Sequence, residues 1–253
     1  MGGAIVAAMW LVGCSSGQVG QTGKVRFSLV DNYPDTPDFT SHVATGAGLL
    51  LQLEFVSAGL ETVNPGLALQ VQDGSTPSTT AGNSAKATVL PLGFAQYAVS
   101  ISTAGSYTIV ATQGTTALDF VPITVADVGS LRWHNEAILT TTSGSGSSTK
   151  TCSTTPAVSD VTLKSNDTLT IDVVPQDSKG NPLLGLLQLT AMATGPVSLS
   201  GALLGQGATP NQLTVDPSGT LGSTAQITVS DSVSGKTLSL TLPTSSSTDS
   251  CST

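Results

Sequence analysis

Apolar and polar residues alternate along most of this chain. In residues 24–30, Val25, Phe27 and Leu29 fall opposite Arg26 and Ser28, the period-two mark of a half-buried strand. In 49–56, Leu49, Leu51, Leu53 and Phe55 share one face, and Gln52 and Glu54 the other. Residues 67–72 alternate again and stop at Asp73-Gly74, a tight-turn dipeptide. Strands are also predicted at 85–90 and 94–101, while 107–111 and 118–125 flank 112–116 as a hairpin. The prolines and Asx residues of 31–38 mark a loop. In the second half, strands are predicted at 161–163, 169–174, 184–193, 197–199, 212–215, 225–229 and 237–242. The turn at 177–183 has Gly180 to supply its dihedral angle and Pro182 to stiffen the start of the next strand. With about seven short strands in each half, Gly/Pro/Asp turns and no helical period, the chain reads as all-β: two tandem β-sandwiches, not a short-period solenoid.

Two stretches carry a resemblance. Ala104-Gly105-Ser106-Tyr107-Thr108-Ile109 resembles the tyrosine corner of immunoglobulin-like domains. There the Tyr opens the sixth strand and its hydroxyl bonds a backbone group upstream; an ordinary strand aromatic is the other reading of Tyr107. Asp177-Ser178-Lys179-Gly180-Asn181-Pro182-Leu183, then Gly195-Pro196-Val197-Ser198-Leu199 and Asp216-Pro217-Ser218-Gly219, is similar to bacterial immunoglobulin-like repeats of the invasin and intimin type. That resemblance covers roughly 160–243; the first half shares the architecture without the Gly-Asn-Pro turn. The expected partition is one immunoglobulin-like sandwich at 24–127 and a second at 157–243. A connecting segment with a Ser/Thr/Gly linker is expected at 128–156, and a Ser/Thr-rich tail at 244–253. Few contacts should cross such a linker, so each sandwich is expected to fold alone.

At the N-terminus, the apolar run Ala4 to Trp10 leads into Leu11-Val12-Gly13-Cys14, followed by a Gly/Ser/Gln-rich stretch over 15–23. Leu-Val-Gly-Cys resembles the lipobox of bacterial lipoproteins. The resemblance implies a signal peptide at 1–13, removal at Cys14, diacylglycerol on its thiol and a flexible tether over 14–23. It places the rest of the chain in the cell envelope, held to a membrane by lipid. Ser15 is not the Asp that resembles an inner-membrane retention signal, so the outer membrane is expected. A buried strand with a free Cys is the alternative. A membrane-spanning helix is not, because the apolar run of 4–12 falls far short of roughly 20 residues. With Cys14 lipidated, Cys152 and Cys251 remain as a pair and, in an oxidising envelope, a disulfide candidate. An odd number of up-and-down strands would put the two at opposite ends of the domain. The bond then requires one or both tails to fold back along the domain, or an even strand count; free or intermolecular thiols are the other outcome.

Composition narrows the function. Charged residues are 9% of the chain, against a norm of about 25%, and the formal net charge is −8. With Lys and Arg scattered, a nucleic-acid role is excluded. Catalytic groups are sparse. The histidines are His42 and His134, no Gly-x-Ser-x-Gly elbow occurs, and Ser147-Ser148-Thr149-Lys150 matches Ser-x-x-Lys only within a Ser-rich tract. His134 with Glu136 is an incomplete zinc set, and Asp31, Asp35 and Asp38 lack calcium-loop spacing. No cofactor is expected. The sequence reads as a non-catalytic envelope spacer or protein-binding module, with an envelope protein or glycan as partner besides the membrane. The alternative is a carbohydrate-binding adhesin, which would expose two of Tyr33, Tyr97 and Trp133 on one flat face.

Overall fold

The computed structural model describes residues 18–19, 25–31, 33, 42–57, 60–62, 66–78, 82–144, 149–200 and 211–251. The first sandwich is built from β1 (Gln18–Val19), β2 (Val25–Leu29), β3 (Val43–Ala44), β4 (Gly48–Ser57), β5 (Leu60–Thr62), β6 (Leu67–Asp73), β7 (Ala87–Gly93), β8 (Gln96–Ile101), β9 (Gly105–Gln113) and β10 (Thr116–Ala126). One sheet has the order β1-β2-β4-β8-β7, with β5 also on β4; the other is β3-β10-β9-β6. All pairs in them are antiparallel except β3, which runs parallel to β10. Inward residues follow the predicted alternation: Phe27, Leu49, Leu51, Leu53, Val99 and Ile101 from one sheet meet Leu69, Val71, Ile109 and Val121 from the other. Tyr107 is buried, and its hydroxyl donates to the Thr103 carbonyl at 2.8 Å. That is the tyrosine corner, and with the short parallel strand on β10 it makes the domain immunoglobulin-like.

The second sandwich repeats the plan with β11 (Ser130–Trp133), β12 (Ile138–Ser143), β13 (Lys150–Thr154), β14 (Leu163–Lys164), β15 (Asp167–Gln176), β16 (Leu189–Thr194), β17 (Val197–Ser200), β18 (Gln212–Pro217), β19 (Thr224–Asp231) and β20 (Thr237–Ser245). Its sheets are β13-β12-β15-β18-β17, with β11 also on β15, and β14-β20-β19-β16, with β14 parallel to β20. The chain is therefore all-β, in two tandem immunoglobulin-like sandwiches.

Four sequence expectations need correction. The segment 128–156 is not a linker, because β11, β12 and β13 lie in it and all join the second sandwich. Its Thr-rich runs suit strands, since β-branched residues pack on a pleated surface. Gly144 closes β12, and 145–148 lie outside the described residues. The stretch 14–23 is not a tether throughout, since β1 already pairs with β2 at Gln18↔Ser28 and Val19↔Phe27. The tail expected from 244 starts later: β20 extends to Ser245, and the chain stays bonded to the domain through Cys251. The strand expected at 184–193 is split, with β16 at its end and a different structure at 183–187.

Candidate interaction surface

That different structure is a joint between the sandwiches. It starts at the turn after β15. Asp177 Oδ1 accepts from the backbone N–H groups of Lys179 (2.8 Å) and Asn181 (2.9 Å), and its Oδ2 accepts from Asn181 Nδ2 at 2.9 Å. The Asn181 bonds hold the Asp177 carboxyl below the usual carboxylate range. Gly180 turns at φ 85°, as its place in the turn requires. The chain then runs out as Leu183-Leu184-Gly185-Leu186-Leu187 with strand-like alternation. Leu183 and Leu187 enter the core of the second sandwich, whereas Leu184, fully buried, packs in the core of the first. Ala44 and Ala47 make the reciprocal move from the first sandwich into the core of the second.

Backbone bonds lock the exchange. Leu184 donates to the His42 carbonyl and accepts from Ala44 N–H, both at 2.8 Å. Leu186 and Gly48 bond each other both ways, at 2.7 and 2.9 Å. Asn211, buried and at φ 62°, clamps the segment from behind: its Nδ2 donates to the Gly185 carbonyl at 2.9 Å and its Oδ1 accepts from Leu187 N–H at 2.7 Å. Gly185 allows the close approach, since a Cβ there would lie 2.5 Å from that of Ala47 and its φ is 124°. The few contacts expected between the halves thus give way to shared cores and shared backbone pairing. A groove of about 540 Å³ opens beside the joint, lined by Gly46, Gly48, Ser100, Leu186, Gln188 and Ser232 among others, none of them ionisable.

The candidate chemical residues are not brought together. His42 lies at the joint; His134 lies just past β11, with Nδ1 3.0 Å from the Glu136 carbonyl oxygen. No group of three or more His, Cys, Asp or Glu side chains able to hold a metal occurs among the described residues. Asp35, Asp38, Ser147 and Ser148 lie outside those residues, as do Leu11 to Cys14. Tyr97 is buried, with its hydroxyl donating to the Leu67 carbonyl at 2.6 Å. Trp133 is half-buried and donates from Nε1 to the Ser239 carbonyl at 3.2 Å, and Tyr33 packs against the first core. The flat, exposed aromatic pair that a carbohydrate platform requires is absent from these three.

Asp31 is the most perturbed carboxyl among the described residues. Burial pushes it from its usual 3.8 up to about 6, with a side-chain hydrogen bond from Tyr33 opposing. Burial and the nearby carboxylate push the Tyr33 hydroxyl up as well. An acid with a raised folded-state pKa keeps its proton longer when folded, so its contribution to stability falls as pH rises from about 4 to about 6. Asp31→Asn is therefore expected to stabilise the protein at pH 7, on the order of 1 kcal/mol once solvent screening is allowed for. The gain should vanish below about pH 4, where both forms are neutral. Thermal melts of the two proteins across pH 3–8 check this; an equal gain at every pH would assign it to something other than charge burial.

Cys152 and Cys251 form a disulfide, with Cα atoms 5.8 Å apart. The tail folds back, as the bond requires. From β20 it crosses the turn between β14 and β15, where Ser165 N–H donates to the Ser247 carbonyl at 3.2 Å. Asn166 Nδ2 then donates to the Asp249 carbonyl at 2.8 Å, and Lys164 pairs with the Asp249 carboxylate. It ends against the β12–β13 hairpin, where Cys251 N–H donates to Ser143 Oγ at 3.3 Å. Cys152 is within β13, opposite Thr141. The bond thus ties the tail to a hairpin that the sequence reading had assigned to a linker.

The outer face of the β1-β2-β4-β8-β7 sheet carries an apolar row that sequence alternation did not single out. Val30 donates to the Leu50 carbonyl at 2.9 Å, Leu50 sits opposite Ala98, and Ala98 opposite Leu90. Leu90 and Leu92, on edge strand β7, are both exposed. Beyond them the β7–β8 turn holds Phe94 84% exposed, and Phe94 (φ 51°) and Ala95 (φ 57°) both lie in the left-handed region. Asn-Gly is the usual occupant of such a turn, and a side chain other than Gly or Asn is disfavoured there. The Ser102 N–H bond to the Lys86 carbonyl fixes the hydrogen-bonding parity of β7 and β8 and places Pro91 at a non-bonded pair. Its missing N–H would have pointed off the sheet, so Pro91 blunts this edge against strand addition.

No family model matches the chain, and no curated protein matches it. Solved structures similar to it include the Escherichia coli adhesin FdeC (17% identity over 91% of this chain and 65% of that one, TM-score 0.29). Domains 5–6 of the S-layer protein SbsC are similar at 18% identity (91% of this chain, all of that one, TM-score 0.31). The Yersinia pseudotuberculosis adhesin InvE is similar at 11% (88% and 61%, TM-score 0.32). The chain spans less than two thirds of the length of either adhesin structure. At these scores the likenesses carry no functional argument, and the fold assignment rests on the strand pairing above.

Proposed function

We propose that the chain is a lipid-anchored cell-envelope protein, attached through Cys14, whose two sandwiches act as one stiff, non-catalytic spacer and binding module. The observation that carries this reading is the joint. Four backbone hydrogen bonds and an exchange of core residues join the domains, where a swivel would need a solvated linker with few contacts. A stiff joint passes the orientation of the anchored first sandwich to the second. The loops at the far end of the second sandwich, braced by the disulfide, are then held out towards an envelope protein or glycan.

The experiment is fractionation of the full chain with Cys14→Ser. The parent protein is expected in the outer-membrane fraction, and the variant released from membranes or left unprocessed. A variant that is cleaved and retained like the parent sinks the anchor. The carbohydrate alternative gains nothing from Tyr33, Tyr97 or Trp133, so a protein partner is favoured.

A further inference from the structure

We infer that the apolar row on the outer face of the first sandwich, with Phe94 at its tip, is seated on the lipid bilayer to which Cys14 is attached. The inference rests on the lipid-anchor reading above and adds a contact that an anchor alone does not supply.

Tether length is the first argument. Gln18 is already paired with Ser28 in the sheet. It lies four positions from Cys14, a reach of about 14 Å at most. A domain held that closely cannot stand clear of the bilayer. The sheet brought to the surface is the one with the apolar row. Register makes this specific: with Gln18 level with Ser28, the tether leaves the sheet edge beside Val30, where the row Val30–Leu50–Ala98–Leu90 begins.

Surface chemistry is the second. From Thr88 to Ile101 the chain has no charged residue, although the protein carries a net charge of −8. A neutral apolar strip ending in an exposed aromatic suits the headgroup boundary of a membrane, where apolar side chains enter; Arg26 and Glu54, on the same face beside the strip, pair with each other at 4.0 Å. Pro91 removes the edge donor that another strand would need, which favours a lipid surface over strand pairing with a second copy.

The turn is the third. Phe94 and Ala95 occupy left-handed backbone that suits Asn-Gly far better. Backbone strain retained at an exposed aromatic tip points to a role for the side chain outside the fold.

Bromolipid quenching tests the inference. The acylated full chain with Phe94→Trp is incorporated into phosphatidylethanolamine–phosphatidylglycerol vesicles containing phosphatidylcholine brominated high on the acyl chain. Emission is read as the difference from the parent protein, whose Trp133 supplies the background. The added emission is expected to shift to the blue and to be lost to the brominated lipid. Met192→Trp, at a position 72% exposed on the second sandwich, is expected to stay unquenched. In a second pair, Leu90→Trp is quenched, and replacing Phe94-Ala95 by Asn-Gly in that background raises the melting temperature while relieving the quenching.

Protein that floats with the vesicles but shows no quenching overturns the seating and leaves the anchor standing. Protein that does not float removes the anchor, and the inference falls with it. A blue shift without quenching that grows with protein concentration also overturns the inference, in favour of a second copy on the strip.

Discussion

Reduction of the Cys152–Cys251 disulfide is expected to lower the unfolding free energy of the protein by about 3–5 kcal/mol. The cross-link closes 99 residues, nearly the whole second sandwich. Releasing a loop of that length returns about 4.7 kcal/mol of conformational entropy to the unfolded chain, and native disulfides in small exported domains are typically worth 2–5 kcal/mol. The loss should be incurred once: Cys152→Ser, Cys251→Ser and the double variant are expected to be equally unstable, since each removes the same bond. Urea unfolding of the four proteins, oxidised and reduced, checks this. A loss below about 1 kcal/mol would mean that the bonds of Ser247 and Asp249 to the β14–β15 turn already keep the tail in place and that the cross-link adds little to them.

The second large effect belongs to Leu184. Its side chain is fully buried in the core of one sandwich while its backbone belongs to the other. Leu184→Ala is expected to cost about 2–5 kcal/mol, as a buried Leu truncation does, and to separate the unfolding of the two domains. Gly185→Ala should do the same by another route. Its Cβ would meet that of Ala47 at 2.5 Å in a backbone conformation poorly suited to a side chain, so the segment must withdraw. Calorimetry of the parent protein is expected to show one cooperative transition, and of either variant two. If Leu184→Ala still unfolds in a single step, the coupling runs through contacts other than this segment.

Much of this architecture was legible in the sequence because a half-buried strand must alternate. Leu49, Leu51 and Leu53 against Gln52 and Glu54 gave β4 and its inward face, and the surroundings of Tyr107 gave the corner that identifies the domain. The Cys152–Cys251 bond follows from the cysteine count alone if Cys14 is taken up by lipid. The failures have equally local causes. Strand β3, of two residues, is too short to show any period. Strands β12 and β13 were hidden because hydroxyl-rich composition fits a linker and an edge hairpin alike. Leu-Leu-Gly-Leu-Leu at 183–187 does read as buried on both faces. What one chain cannot state is that the two faces belong to different cores. Leu50 was lost inside Leu49-Leu50-Leu51, where the outward residue is as apolar as its neighbours.

The closed ring has a mechanical consequence for any protein held at one end by lipid and loaded at the other. A pull on the chain beyond Cys251 does not peel β20 from its sheet. Force crosses the sulfur bridge to Cys152, passes into the β12–β13 hairpin and leaves by way of β11 and residues 127–129 to β10. The chain between the two cysteines, which are 99 positions apart, lies off the load path. It withholds about 330 Å of contour length that an uncross-linked domain would pay out on unfolding. Under tension the oxidised protein is a short strap with β14 to β20 of its second sandwich off the load path; reduced, the same chain becomes extensible. Stretching single molecules with and without reductant should therefore change the length gained per unfolding event, not only the force at which it occurs.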